Sequence, residues 1–512
     1  MKKSIVIIIF FCFKNIALYS QISSFDFRNY ILSNKMITKE VRDFYATNNY
    51  QIIWINKENK VNESDLEKVI AISSEIGLSE TDYKPISSSD ILNTISKKAD
   101  YIDSIKTEIQ ITSTAIHFFT DIAYGNIKPN FGFFNLKTAE AYHNIPKLLA
   151  EYISKKEMFK LIEKITPIQP EIKVIENRIK NYQQILKSTD FKEIIINKGK
   201  ININNSPLLA KLYQLGILEV HNLNLTDKDF KTKIKEAQIQ FNQLTDGELS
   251  NALINELNIP IKTRLQQLIL SVNYYRWISS ITANQTAIVV NIPAANLKVY
   301  HKNRVSNEMK MIVGKLSTPT PTLCSYIKEV VLYPYWHVPY SIATKELLPL
   351  IKKNTSFIQN GNYQILNTEG EIINPYSINW QSLNTQHFPY LIRQSSGCDN
   401  ALGLLKLNFD NPFGVYLHDT PGKNLFTYNY RFLSHGCMRM EKPMDIGHLV
   451  LLNNSQAIDT LEQKGCLVNK SPTKVIADQQ IPIIVWYNPV GIDSLGRLVF
   501  YKDVYGKFKW IN

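Results

Sequence analysis

From about residue 22 to 195, apolar positions recur at intervals of three and four, as in SDLEKVIAISSEIGL (64–78) and IQITSTAIHFFTDIAYG (109–125). That spacing lines one face of a helix. Gly77, Pro85, Gly125 and Pro129 interrupt the pattern as stops and turns, so it predicts a helical accessory domain over 22–198. SPLLAKLYQLGIL (206–218) and KTKIKEAQIQFNQLTDGELSNALINELN (231–258) predict a small three-helix module over 199–258, with turns at Gly216 and Asp246-Gly247. In IPIKTRLQQLILSVNYYRWI (259–278), Leu265, Leu268, Val272 and Trp277 share roughly one face, which predicts an amphipathic connector helix over 259–283.

Beyond Thr286 the period falls to two. TAIVVNI leads into NLKVYHKNRVSNEMKMIVG, with a polar turn at His301 to Arg304. IKEVVLYPYWHVP (327–339), LLKLNF (404–409) and GVYLHDT (414–420) extend the strand pattern. A polar, irregular stretch from about 351 to 402, with two helix-like pieces, reads as a cap inserted into the sheet. EKPMDIGHLVLLNNSQAIDTLEQKG is helical in pattern, opening at Pro443 and closing at Gly465. The terminal IPIIVWYNPVGIDSLGRLVFYKDVYG predicts a strand hairpin over 469–512, turning near Asp493 to Gly496. The fold class is therefore multidomain α+β, with a β-rich domain over 284–468 behind the helical parts. No internal repeat of 20 to 50 residues occurs, which sets solenoids aside.

Composition changes this picture little. The 512 residues agree with roughly three domains at ~150 residues each, and 44% hydrophobic residues supply cores for all of them. The net charge of +13 comes from 48 scattered lysines against 10 arginines, without the basic-aromatic clustering of a nucleic-acid surface. No nucleic-acid partner is expected. The opening MKKSIVIIIFFCFKNIALYSQ has a basic start, an apolar run from Ile5 to Phe13 and a small-residue segment from Ala17 to Gln21. It reads as an export signal over 1–21, either cleaved or kept as an inner-membrane anchor. Export would leave Cys324, Cys398, Cys437 and Cys466, whose wide spacing matches no disulfide framework.

One stretch concentrates chemistry. RFLSHGCMRM (431–440) places Cys437 between Ser-His-Gly and an arginine, and holds two of the chain's ten arginines. A thiol becomes a nucleophile on losing its proton, which a nearby imidazole or a helix N-terminus promotes. His418 lies nineteen positions upstream at a predicted strand end, and a predicted helix follows Cys437. Gly436 permits backbone geometry in which consecutive N–H groups meet one oxyanion. Arg439 suits a carboxylate or a cap contact. His435 is adjacent to Cys437, but neighbours on an extended segment point apart, so His418 takes the base role and His435 supports the turn. His418, Asp419, His435 and Cys437 lack CxxC or HExxH spacing, so neither metal nor cofactor is expected. On residues alone, a catalytic cysteine and a packed core cysteine both remain open.

The run YLHDTPGKNLFTYNYRFLSHGCMRM resembles the signature of L,D-transpeptidases with a YkuD-type catalytic domain: a histidine, a gap of just under twenty, then Ser/Thr-x-Gly-Cys-x-Arg/Asn. VVNIPAANLKVY (289–300), MIVGK with TPTP after it (311–321) and YPYWHVPYSIATKELLP (333–349) are similar to strands and cap entry of the large Gram-negative members. FYATNNYQIIW (44–54), GLSETDY (77–83) and YGNIKP (124–129) resemble their accessory domain, and IQFNQLTDGELSNALINELN (239–258) a peptidoglycan-binding module without the usual glycine-leucine step. The resemblance implies a catalytic domain at 284–468 with a cap at about 340–402. It implies Cys437 as nucleophile, His418 as base, and Arg439, Trp336 and Tyr416 near substrate. The implied substrates are peptidoglycan stem peptides as donor and acceptor, in the periplasm and in the company of other cell-wall synthesis proteins. The implied product is a 3→3 cross-link. Water as acceptor would make a carboxypeptidase, and a protein lysine would make an anchoring enzyme. The non-enzymatic alternative is a cell-wall scaffold with an idle cysteine.

Overall fold

The computed structural model describes residues 24–55, 60–83, 101–137, 141–197, 206–220 and 225–508. The expected export signal at 1–21 lies outside the described residues. Two compact units form: Met1–Ala123 with Ala141–Thr166, and Tyr124–Glu140 with Pro167–Asn512.

The smaller unit is helical, as its period of three to four predicts. Two of its helices begin where short polar side chains replace the missing intrahelical acceptors. Thr38 Oγ1 caps Lys39–Thr47 through the Val41 N–H, and Asn144 Oδ1 caps Ile145–Ser154 through the Lys147 N–H. Inside, Glu108 on Tyr101–Tyr124 is fully buried and accepts the N–H groups of Ile53, Trp54 and Ile55 at 2.6, 3.0 and 3.1 Å, with the Tyr45 hydroxyl at 3.0 Å. This cluster explains the polar-aromatic FYATNNYQIIW stretch: its extended end is stitched to one carboxylate. Burial pushes the Glu108 carboxyl up to about 6, against the pull of those donors.

The larger unit takes in 124–140 and 167–197, which sequence pattern alone grouped with the accessory helices. The reason is the helix Ile261–Thr282. It is not amphipathic but buried on nearly every side, and its polar residues are tied to partners in other segments. Arg264 reaches Glu256 at 2.7 Å and Arg276 reaches Glu176 at 2.8 Å; Ser271 bonds Asn488 at 2.6 Å and Ser279 bonds Gln169 at 2.9 Å. The expected connector is thus a central pillar. YGNIKP closes against it: Gly125 has φ +75°, and a Cβ there would stand 2.5 Å from the Asn273 carbonyl oxygen. Three short helices, Ser206–Gln214, Asp227–Gln240 and Asn251–Leu257, share this core.

Sixteen strands occur among the described residues: β1 Phe133–Phe134, β2 Ala287–Asn291, β3 Asn296–His301, β4 Arg304–Gly314, β5 Leu323–Leu332, β6 Trp336–His337, β7 Tyr363–Leu366, β8 Ile372–Ile373, β9 Leu391–Gln394, β10 Leu405–Phe409, β11 Leu417–His418, β12 Phe432–Ser434, β13 Met438–Met440, β14 Thr473–Trp486, β15 Val490–Ile492 and β16 Leu498–Phe500. Their pairing closes a circuit, β5-β10-β11-β13-β4-β3-β2-β14 and back to β5, around an apolar interior. The β3–β4 turn has Lys302 and Asn303 at φ +48° and +61°, the left-handed pair of a two-residue hairpin.

The chain's last segment departs from a simple hairpin. β14 is a member of the circuit, parallel to β2 and antiparallel to β5, and only β15 and β16 form the hairpin around Asp493–Gly496. The cap is more ordered than its polar sequence suggests, with a four-stranded sheet β6-β9-β7-β8 and its own apolar cluster. Cys398 at the end of the cap is disulfide-bonded to Cys466, past the helix Gln456–Lys464, with Cα atoms 5.2 Å apart. Cys324 and Cys437 are free.

Candidate active site

Strand register assembles the site. β11 lies parallel to β13 with Leu417 opposite Met438 and His418 opposite Arg439; on its other edge β10 sets Lys406 opposite His418. Side chains alternate across a strand, and Leu405, Leu407, Leu417, Met438 and Met440 all enter the apolar interior. Lys406, Tyr416, His418, Cys437 and Arg439 therefore share the opposite face. His418 and Cys437 stand one diagonal step apart on it and are not hydrogen-bonded to each other.

His418 is 4% exposed, and its Nδ1 lies 2.6 Å from the Asp419 carbonyl oxygen. A carbonyl only accepts, so Nδ1 carries the proton and Nε2 keeps its lone pair. Burial, then the positive charge of Arg439, lowers the imidazole to about 3 against the support of that hydrogen bond. It is a neutral base at any ordinary pH. Asp419 is itself fixed, accepting the Leu404 N–H at 2.9 Å and the Lys423 ammonium at 2.6 Å.

Cys437 is half-buried, and burial raises its thiol above the ordinary range, while Tyr416, Lys406 and Arg439 favour the thiolate. The Tyr416 ring meets His418 edge-on at 5.6 Å, and the Lys406 Nζ sits 3.9 Å from the Tyr416 ring centroid. One expectation fails: β13 intervenes between Cys437 and the helix Pro443–Val450, so no helix N-terminus acts on the sulfur. Gly436 has φ +108°, as its backbone role requires, but its N–H is directed to Ser434 Oγ at 3.2 Å. The Cys437 N–H makes no hydrogen bond among the described residues, which leaves it free to meet an oxyanion. Ser434 Oγ also donates to the Cys437 carbonyl at 2.5 Å, and Thr320 Oγ1 to the Gly436 carbonyl at 2.9 Å, holding the turn rigid.

The remaining expected residues fall in different places. His435 turns outward, its Nε2 2.7 Å from Glu346 in the cap and 3.4 Å from the Lys315 Nζ, so it joins the motif to the cap. Trp336 is half-buried against the cap's apolar cluster. Arg439 keeps a buried Nε without a hydrogen-bond partner. Sequence reasoning missed Lys406, Ser434, Thr320 and Glu346. Ser434 stood in the signature without a role of its own, and Lys406 left a trace as the charged position in the apolar LLKLNF strand, but only register reveals that it faces His418.

Comparison with known proteins adds the family. Residues 285–455 match the model of the YkuD L,D-transpeptidase catalytic domain, and residues 39–172 match the scaffold domain model. A Haemophilus influenzae protein named "Putative L,D-transpeptidase" is 35% identical over 225 residues, 44% of this chain and 45% of that protein. The chain thus spans about half the length of that curated relative. Among solved structures, an L,D-transpeptidase from Mycobacterium smegmatis aligns at 16% identity over 39% of this chain and 58% of its own, with a TM-score of 0.18. The Enterococcus faecium L,D-transpeptidase catalytic domain aligns at 15% identity over 40% and 97%, also at 0.18, and the Stackebrandtia nassauensis L,D-transpeptidase at 12% over 58% and 96%, at 0.20. On the family models, residues 285–455 are a YkuD-type L,D-transpeptidase catalytic domain, which follows a scaffold domain at 39–172.

Proposed function

We propose that the chain is a cysteine-dependent L,D-transpeptidase acting on peptidoglycan stem peptides. The observation that carries the reading is a buried, neutral His418, locked in one tautomer by the Asp419 carbonyl, on the same strand face as the free thiol of Cys437. Burial disfavours both imidazolium and thiolate, so proton transfer from Sγ to Nε2 accompanies attack on the donor instead of preceding it. The sulfur adds to the carbonyl of the diamino acid at stem position 3, and the Cys437 N–H receives the oxyanion. His418 returns the proton to the departing D-Ala nitrogen as the C–N bond breaks and a thioester remains. An amine on a second stem then attacks the thioester, gives its proton to His418, and restores the Cys437 thiol as the new amide forms. With a diamino acid side chain as the acceptor, the product is a 3→3 cross-link.

Export to the periplasm is part of the proposal. The Cys398–Cys466 disulfide supports it, since such bonds persist in oxidising compartments. The test is to incubate the purified protein with a carbapenem and weigh it, then to analyse muropeptides after incubation with tetrapeptide stems. A one-to-one adduct absent from Cys437→Ala, with 3→3 dimers in the second assay, is expected. An unmodified wild type, or an undiminished adduct on the variant, overturns the assignment. Tripeptides without dimers would redirect it to a carboxypeptidase.

A further inference from the structure

The strand register places more than the acid-base pair on the outer face. A single transverse row runs Lys474 on β14, Val331 on β5, Lys406 on β10, His418 on β11 and Arg439 on β13. Three cations and the imidazole thus stand side by side across five strands, and Cys437 lies next to the Arg439 end. The cations differ in what neutralises them. Lys474 lies 3.9 Å from Glu329, and Lys423 nearby holds Asp419 at 2.6 Å. Lys406 and Arg439 form no ion pair among the described residues, and the Arg439 Nε is buried with no acceptor. Charged groups in such a position are paired in most folds, because burial without a counter-charge is costly. An unpaired couple beside a nucleophile therefore favours an anion at that place.

Resting on the stem-peptide reading above, we propose that Lys406 and Arg439 are the carboxylate-recognition pair of the donor subsite, selecting donors that present two free carboxylates around the scissile carbonyl. In a stem ending in a diamino acid and D-Ala, these are the carboxylate of the leaving D-amino acid and the side-chain carboxylate of the diamino acid. The cation–π contact with Tyr416 fixes the Lys406 ammonium at 3.9 Å from the ring centroid, so the charge is held in place before substrate arrives. Arg439 offers a planar fork suited to a carboxylate. Amidation of either carboxyl removes a charge that this pair is built to meet.

Two measurements test the pair separately from the overall reaction. The first compares alkylation of Cys437 by iodoacetate and by iodoacetamide, followed by mass spectrometry. Both reagents respond alike to the thiolate population, so the ratio of their rates, referred to a free cysteine derivative, isolates the charge around the sulfur. The ratio is expected to be raised about tenfold in the wild type, to fall several-fold in Lys406→Met and in Arg439→Gln, and to persist in Lys406→Arg. The second compares tetrapeptide donors with free and amidated carboxyls, where the wild-type preference for the free acid narrows in Lys406→Met. A wild-type ratio equal to that of the free thiol, or one unchanged in both charge-removing variants, overturns the pair. A protein that shows the raised ratio yet forms no acyl adduct would overturn the transpeptidase reading and leave the anion site standing.

Discussion

Two buried polar clusters, one in each unit, resemble each other in ingredients and differ in bookkeeping. Around Glu108 every carboxylate lone pair is engaged: three backbone N–H groups and a tyrosine hydroxyl converge on it. Around Cys437 the polar groups are incompletely matched among the described residues, with a free amide, a guanidinium Nε without a hydrogen bond and an ammonium held against an aromatic ring with no ion pair. A saturated cluster has nothing left to offer a ligand and acts as architecture. An unsaturated one in a rigid frame stays ready for a substrate, and the rigidity comes from neighbours such as Ser434, Thr320 and Asp419, whose hydrogen bonds are spent on the backbone.

The comparison can be broken most severely at its functional end. His418→Ala is expected to slow carbapenem acylation of Cys437 by about 10³-fold, within the usual range for a general base, with the circular dichroism spectrum kept; acylation close to wild type would remove the base from His418. His435→Ala, by contrast, is expected to stay within about tenfold, because it severs a cap contact to Glu346 and no proton path. At the architectural end, Glu108→Ala strands three backbone donors in the core. It is expected to destabilise the helical unit by about 3 kcal/mol in denaturant unfolding, while acylation of Cys437 keeps its rate.

Acidity sharpens the contrast further, because the two groups respond in opposite directions. Glu108 is raised to about 6 in the folded state, so the folded chain binds its proton more readily than the unfolded chain. Its contribution makes the helical unit more stable as pH falls through about 6, by roughly 2 kcal/mol at full protonation. His418 is lowered to about 3, so its neutral form is what the fold accommodates, and stability of the catalytic sheet drops as pH falls below the ordinary histidine range. Hydrogen exchange followed from pH 7.5 to 5 would show protection gained around Ile53–Ile55 and lost around β11. Parallel trends in both places would contradict the assignment of these two groups. The smallest effect is expected for Ser434→Ala, which frees the Gly436 N–H and loosens the turn, and should change the acylation rate by about tenfold or less.

The parts of this site that were legible in the chain were those carried by short-range pattern. His418 and Cys437 sit in one contiguous signature, and the drop from helical to alternating periodicity located the β-rich domain. The illegible parts depend on which distant strands become neighbours. Lys406 reaches His418 only through the β10–β11 register, and Glu108 meets Ile53–Ile55 only after the helices pack. The cap strands run two to four residues, too short to show alternation. The helix Ile261–Thr282 misled for another reason: its polar residues look solvent-facing until Glu176, Glu256, Gln169 and Asn488 are seen to meet them.

The Cys398–Cys466 bond has a consequence for how the chain is strung together. Its 68-residue span contains both His418 and Cys437, so the chemistry sits inside a covalent ring. Closing a ring of that size removes about 4 kcal/mol worth of disorder from the unfolded chain in the entropy model. A single backbone cut within it would open the ring without releasing a fragment, and the histidine and the cysteine would stay tethered even on opposite sides of the break.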